Sequence, residues 1–156
     1  MKKILLTMMV VLAGAFAASA DTYSTDRATL PEGARTVLTK YFPKAKIGII
    51  KTEKHMLQGT EYDVRLADGM KIEFDGAGNW TEVDCRGREV PAGMIPEAVR
   101  NYVRRTYPDS KIVEAENKTN KFKVELNDGL ELTFDRQGNL KKVKDSITKC
   151  KNPRPE

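Results

Sequence analysis

The sequence predicts an α+β fold made of two tandem repeats. Each repeat is a helix packed on an antiparallel sheet of about four strands, with the two sheets joined into one larger sheet. Three observations carry this. A seven-residue phrase, FDGAGNW at 74–80, returns as FDRQGNL at 134–140. A helical apolar stripe between two prolines precedes each phrase. Runs of strict apolar–polar alternation, broken by Asp-Gly, lie between stripe and phrase.

The register of the duplication follows from fixed residues. A shift of 65 places Leu30-Pro31-Glu32 on Ile95-Pro96-Glu97, Arg35 on Arg100, Pro43 on Pro108, and Lys46-Ile47 on Lys111-Ile112. The shift then falls to 60. Val64, Leu66, Asp68-Gly69 and Phe74 meet Val124, Leu126, Asp128-Gly129 and Phe134. Five extra residues therefore sit in the first copy, between Thr52 and Glu61. Two copies are too few for an open solenoid, so the chain is a duplicated domain.

Each copy opens with a helix. Pro31 and Pro96 suit a first helical turn, where a missing N–H costs nothing. Ala34, Val37, Leu38 and Tyr41 share one face, repeated by Val99, Tyr102, Val103 and Thr106, and Pro43 and Pro108 end the helices. First strands are expected at 46–51 and 111–116. Tyr62, Val64 and Leu66 then alternate with charged residues, Asp68-Gly69 turns the chain, and Ile72 and Phe74 return on the apolar face. Phe122, Val124, Leu126, Leu132 and Phe134 repeat this pattern. Short strands at 80–83 and 140–143 follow. Trp80 and Val83 are an odd number apart, which predicts a bulge, or one of the two near a strand end.

The repeated Asp-x-x-Gly-Asn phrase is read as a hairpin turn. A calcium loop gathers several oxygen ligands, whereas each phrase offers one carboxylate and one amide between apolar strands. The chain has a single histidine and no Cys/His ligand spacing, so no metal or other cofactor is expected.

The ends set the compartment. Lys2-Lys3, an apolar run over 4–18 and Ala18-Ser19-Ala20 form a signal peptide, residues 1–20, with no cysteine at the cleavage point. Its removal takes two lysines and no acids from a net charge of +5, leaving +3. That balance does not suggest nucleic acid, and nothing in the mature chain is apolar enough to span a membrane. The remainder divides into an N-terminal extension (21–29), repeat 1 (30–84), a linker (85–94), repeat 2 (95–145) and a tail (146–156). In an oxidising compartment the two cysteines, Cys85 and Cys150, are expected to pair, tying the tail to the end of repeat 1.

The order helix, proline stop, strand, and two hairpins with Asp-Gly and Asp-x-x-Gly-Asn turns, written twice, resembles the PepSY-like family. That group is related in fold to the β-lactamase inhibitor protein. The resemblance spans 30–84 and 95–145 and implies a helix on an antiparallel sheet in each repeat. In the inhibitor protein the two sheets join into one surface that holds the target enzyme. PepSY domains are associated with restraint of peptidases and with the cell envelope.

No nucleophile–base pair, P-loop or zinc-protease motif is present, so no enzyme is expected. Asp63, Arg65, Lys71, Glu73, Lys123, Glu125, Glu131 and Thr133 mark the outer sheet face as a charged, solvated surface. The expected function is that of an exported, periplasmic or secreted, non-catalytic binding module. Its partner would be an envelope protein or peptidase, held at the sheet face or at a loop around His55, Met56 and Leu57. The alternative is an envelope adaptor that holds an anionic polymer through Arg100, Arg104, Arg105 and Lys111, with Lys141, Lys142 and Lys144.

Overall fold

The computed structural model describes residues 21–55 and 59–145. The expected signal peptide, Met56, Leu57, Cys150 and the tail lie outside the described residues. Among the described residues nine strands form one antiparallel sheet in chain order: β1 (Thr22–Ser24), β2 (Ile47–His55), β3 (Gly59–Leu66), β4 (Lys71–Asp75), β5 (Trp80–Asp84), β6 (Ile112–Lys118), β7 (Lys121–Leu126), β8 (Leu130–Phe134) and β9 (Leu140–Asp145). Helix α1 (Glu32–Tyr41) precedes β2, and helix α2 (Glu97–Thr106) precedes β6. Among the described residues no helix is long and apolar enough to cross a membrane.

The two repeats share the sheet outright, because β5 pairs with β6 through Val83–Ala115 and its neighbours. Period-2 alternation turns one face of β2 to β8 inward. Ile50, Val64, Ile72, Val83, Ala115, Val124 and Leu132 are all buried there, beneath Ala34 and Leu38 of α1 and Val99 and Val103 of α2. Val37, Tyr41 and Tyr102 pack at the margin of this core. Thr106, expected on the same stripe, is exposed. It ends α2, where the chain is already leaving the sheet.

The predicted bulge is present and doubled. Glu73 faces Glu82 while Phe74 faces Trp80, leaving Thr81 as the extra residue; Thr133–Lys142 and Phe134–Leu140 repeat this around Lys141. The Asp-x-x-Gly-Asn phrases are turns. Asp75 Oδ1 accepts from the N–H groups of Ala77 (3.0 Å) and Asn79 (2.9 Å), and Asp135 Oδ1 from those of Gln137 (3.0 Å) and Asn139 (2.8 Å). Hydrogen bonds from Asn139, with Lys141 at 3.1 Å, hold the Asp135 carboxyl down at about 2. Each carboxylate is consumed by its own loop.

Three segments differ from expectation. The N-terminal extension contributes β1 and a 3₁₀ turn, Arg27–Thr29. The linker is tied into the fold: Cys85 N–H donates to Val113 (3.0 Å), Val90 N–H to Ile112 (2.8 Å), and Tyr41 O–H to Gly93 (3.0 Å). The five extra residues of repeat 1 lengthen the β2–β3 hairpin. His55 is therefore the last residue of a strand, paired with Gly59, and does not sit in a loop.

Candidate functional site

The helices cover one face of the sheet and leave the other open. Alternation sends every second side chain to that open face, and antiparallel pairing lines them up across strands. One row runs Asp63, Glu73, Glu82, Glu116, Lys123 and Thr133. The next runs Lys71, Asp84, Glu114, Glu125, Glu131 and Lys144. Where the repeats meet, carboxylates oppose carboxylates: Glu82 faces Glu116 and Asp84 faces Glu114. Directly opposed like charges cost a sheet up to about 1 kcal/mol per pair.

Two lysines, and Arg86 with its Nε 3.4 Å from Asp84 Oδ2, offset part of this. Lys71 Nζ lies 2.8 Å from Glu82 and 2.9 Å from Glu73, and Lys123 Nζ contacts Glu116 and lies 3.4 Å from Glu131. Partial burial pulls both lysines down, but their carboxylate partners outweigh it and leave both raised. Among the described residues Glu114 makes no ion pair, although Lys123 pulls it down somewhat. Burial first, then Glu82 and Glu125, push it up to about 7 from 4.5.

The sign of the resulting linkage is fixed. Unfolded chain gives up this proton near 4.5, while folded chain holds it to about 7. The folded state binds more protons across that window, so stability falls as pH rises through it. Glu114→Gln is expected to leave stability at pH 4 unchanged and to raise it at pH 8. Solvent screening of this half-exposed group limits the gain to about 1–2 kcal/mol. Urea denaturation of both forms at the two pH values checks this; a variant no more stable at pH 8 would show that Glu114 carries no penalty.

Of the residues expected at the partner loop, His55 is described. Its Nε2 lies 3.7 Å from Glu53 Oε2 and 3.8 Å from Glu61 Oε2, while Glu53 Oε1 contacts Lys51. Glu53, His55 and Glu61 each offer one donor atom within 4.8 Å of the others, the one group among the described residues that could hold a metal ion. All three are at least partly exposed, and exposed acidic groups are common without an ion. Cys85 is 1% exposed, and burial pushes its thiol up to about 11. Its expected partner, Cys150, lies outside the described residues.

Sequence reasoning missed the seam. Glu82 and Glu116, or Asp84 and Glu114, are some thirty residues apart, and only the β5–β6 register opposes them. It also missed the cross-repeat role of Trp80, which packs edge-on against Phe122 of repeat 2, centroids 6.0 Å apart. Asn117 Nδ2 donates to the Trp80 carbonyl at 3.4 Å beside it.

Solved structures with this architecture are known. A periplasmic protein of unknown function from Bacteroides vulgatus, so described, matches with 38% identity and a TM-score of 0.77 over 81% of this chain and 100% of its own. A protein of Bacteroides thetaiotaomicron described as calcium-regulated and periplasmic matches with 34% identity and a TM-score of 0.76, over 80% of this chain and 96% of its own. A second B. vulgatus protein described as periplasmic matches with 35% identity and a TM-score of 0.76, over 81% and 98%. No curated protein matches the chain. The model of the family described as β-lactamase-inhibitor-like, PepSY-like covers residues 60–142, more than half of the sequence and strands of both repeats. With the helix and its strands laid down twice into one sheet, the chain belongs to the PepSY-like, β-lactamase-inhibitor-like family.

Proposed function

We propose that this protein is a periplasmic, non-catalytic binding module that presents the open face of its sheet to a protein partner of the cell envelope. One observation carries the reading. A continuous sheet spans both repeats, and on its uncovered face the seam sets Glu114 among Glu82, Asp84 and Glu125 with no ion pair of its own among the described residues, while Lys71, Lys123 and Arg86 answer Glu82, Glu116 and Asp84. An arrangement that costs stability and persists on an open surface favours a partner bearing lysine or arginine, which would relieve it on binding. The periplasmic descriptions of the similar structures and the signal-peptide pattern support the compartment.

The test is capture from envelope extract on immobilised mature chain, compared with a Glu114→Lys/Glu125→Lys variant. Wild-type capture of a defined partner that weakens with added salt and is lost in the variant is the expected result. Equal capture by both forms would remove the sheet face as the site. Turnover of an envelope substrate by the purified chain would end the binding-module reading altogether.

A further inference from the structure

On the helix side, away from the open face, a cavity of about 320 Å³ lies between α2, the linker and the entry to β6. Arg100, Arg104 and Lys111 line it, opposed by the single carboxylate of Glu89. The Nε of Arg100 is shut from solvent without a hydrogen-bond partner. A buried guanidinium N–H without an acceptor is costly, and cations facing one another in a cavity repel. An oxyanion in the cavity would answer the repulsion among the cations that line it. Ser110 also lines it, but its hydroxyl already donates to Asp128 at 2.8 Å, so the donors left for an anion are the three cationic groups.

The duplication supplies an internal comparison. Each helix is preceded by a 3₁₀ turn, Arg27–Thr29 in repeat 1 and Ala92–Met94 in repeat 2. Their first residues correspond at the shift of 65, as do Arg35 with Arg100 and Thr39 with Arg104. In repeat 1 the Arg27 guanidinium lies across the helix, donating to the Arg35 carbonyl (3.2 Å) and to Thr39 Oγ1 (2.9 Å). A long side chain thus occupies this place in repeat 1. Repeat 2 has Ala92 there, which lines the cavity and leaves it open, and carries a further arginine where repeat 1 has Thr39.

We infer that this cavity is a binding site for a phosphate-class oxyanion, held by Arg100, Arg104 and Lys111. Arginine matches phosphate oxygens with two parallel N–H donors, and lysine adds a point charge at the rim. Two sources offer the same chemistry, inorganic phosphate and a phospholipid headgroup. The site is independent of the open sheet face, and either assignment can fail without the other.

The test uses tag-free mature chain with inorganic phosphate, titrated calorimetrically against chloride of matched ionic strength. One-site binding is expected for the wild type. The Arg104→Gln/Lys111→Gln variant, altered at two exposed positions, is expected to bind more weakly by about tenfold or more. Ala92→Arg, which places repeat 1's residue in the cavity, is expected to abolish binding although it adds positive charge. Attraction by net charge alone predicts the opposite, so undiminished or stronger binding in Ala92→Arg would overturn the site. So would phosphate heats no larger than those of chloride together with no sedimentation on phosphatidylglycerol vesicles. Sedimentation on those vesicles that phosphate competes away, and that phosphatidylcholine does not support, identifies the headgroup as the source. Calorimetric binding without sedimentation identifies the free anion. Circular dichroism of each variant confirms that it is folded.

Discussion

Phe134→Ala is expected to lower the unfolding free energy by about 3–5 kcal/mol, and Phe74→Ala by somewhat less. The two residues hold equivalent places in the repeats, and both are fully buried. Phe74 sits between Tyr62 and Trp80 on neighbouring strands, Phe134 between Phe122 and Leu140. The difference comes from the helix above. Tyr102 of α2 meets Phe134 edge-on, centroids 5.4 Å apart. The corresponding residue of α1 is Val37. Losing the aromatic pair adds about 0.5–1.5 kcal/mol to the cost in repeat 2.

The same variants test whether the repeats fold as one. β5 and β6 pair directly, Trp80 packs on Phe122, and Tyr41 of α1 bonds to Gly93 before α2. Each repeat alone is of a size where a core is marginal. A lesion in either repeat is therefore expected to shift one shared urea transition. Fluorescence of Trp80, at the repeat boundary, and far-ultraviolet circular dichroism should coincide in the wild type and both variants. Two separated transitions in Phe134→Ala would show that repeat 1 stands alone.

Much of this architecture was legible because its signals are local. Proline stops, Asp-Gly turns and the Asp-x-x-Gly-Asn phrase need only a few neighbouring residues, and the odd spacing of Trp80 and Val83 pointed to a bulge or a strand end, both of which are there: Trp80 opens β5 and Thr81 is bulged. The features that escaped depend on register between distant segments. Thr22–Ser24 is three residues long with no pattern of its own, and becomes β1 only by pairing with Ile50–Thr52. Thr52–His55 lies beyond the expected first strand, in the stretch that holds the five extra residues, yet pairing with Gly59–Tyr62 keeps it a strand. The outer-face residues were legible singly from alternation. Their apposition at the seam was not, since it is created by β5 meeting β6. Likewise Arg100, Arg104 and Lys111 stood out as a basic group, while the cavity they line also depends on the small Ala92 in a segment expected to be linker.

Gly138→Ala and Gly78→Ala are expected to be about as damaging as the loss of a core side chain, though neither glycine packs one. Both sit at positive φ, +85° and +87°, at the fourth residue of the repeated turn. Backbone strain alone is worth about 1–2 kcal/mol for a residue with a Cβ. Gly87, at φ +80° with nothing within 4 Å of an added Cβ, isolates that part, so Gly87→Ala should cost only this much. At the turns there is more. A Cβ on Gly138 would lie 2.5 Å from the Ala98 Cβ at the start of α2, and one on Gly78 would lie 2.7 Å from the Ala34 amide nitrogen of α1. Neither obstacle is the mobile end of a long side chain, so helix and turn must part, adding about 1–3 kcal/mol. The two cases then separate. Ala98 corresponds to Gly33 in repeat 1, so Ala98→Gly can remove the obstacle in repeat 2, whereas no substitution removes the amide of Ala34. Ala98→Gly alone should cost about 1 kcal/mol of helix propensity. Combined with Gly138→Ala it should destabilise by less than the sum of the two, with a coupling of about 1–2 kcal/mol. Additive effects in that cycle, or a Gly138→Ala no worse than Gly87→Ala, would mean that the phrase only turns the chain and does not also seat the helix on it.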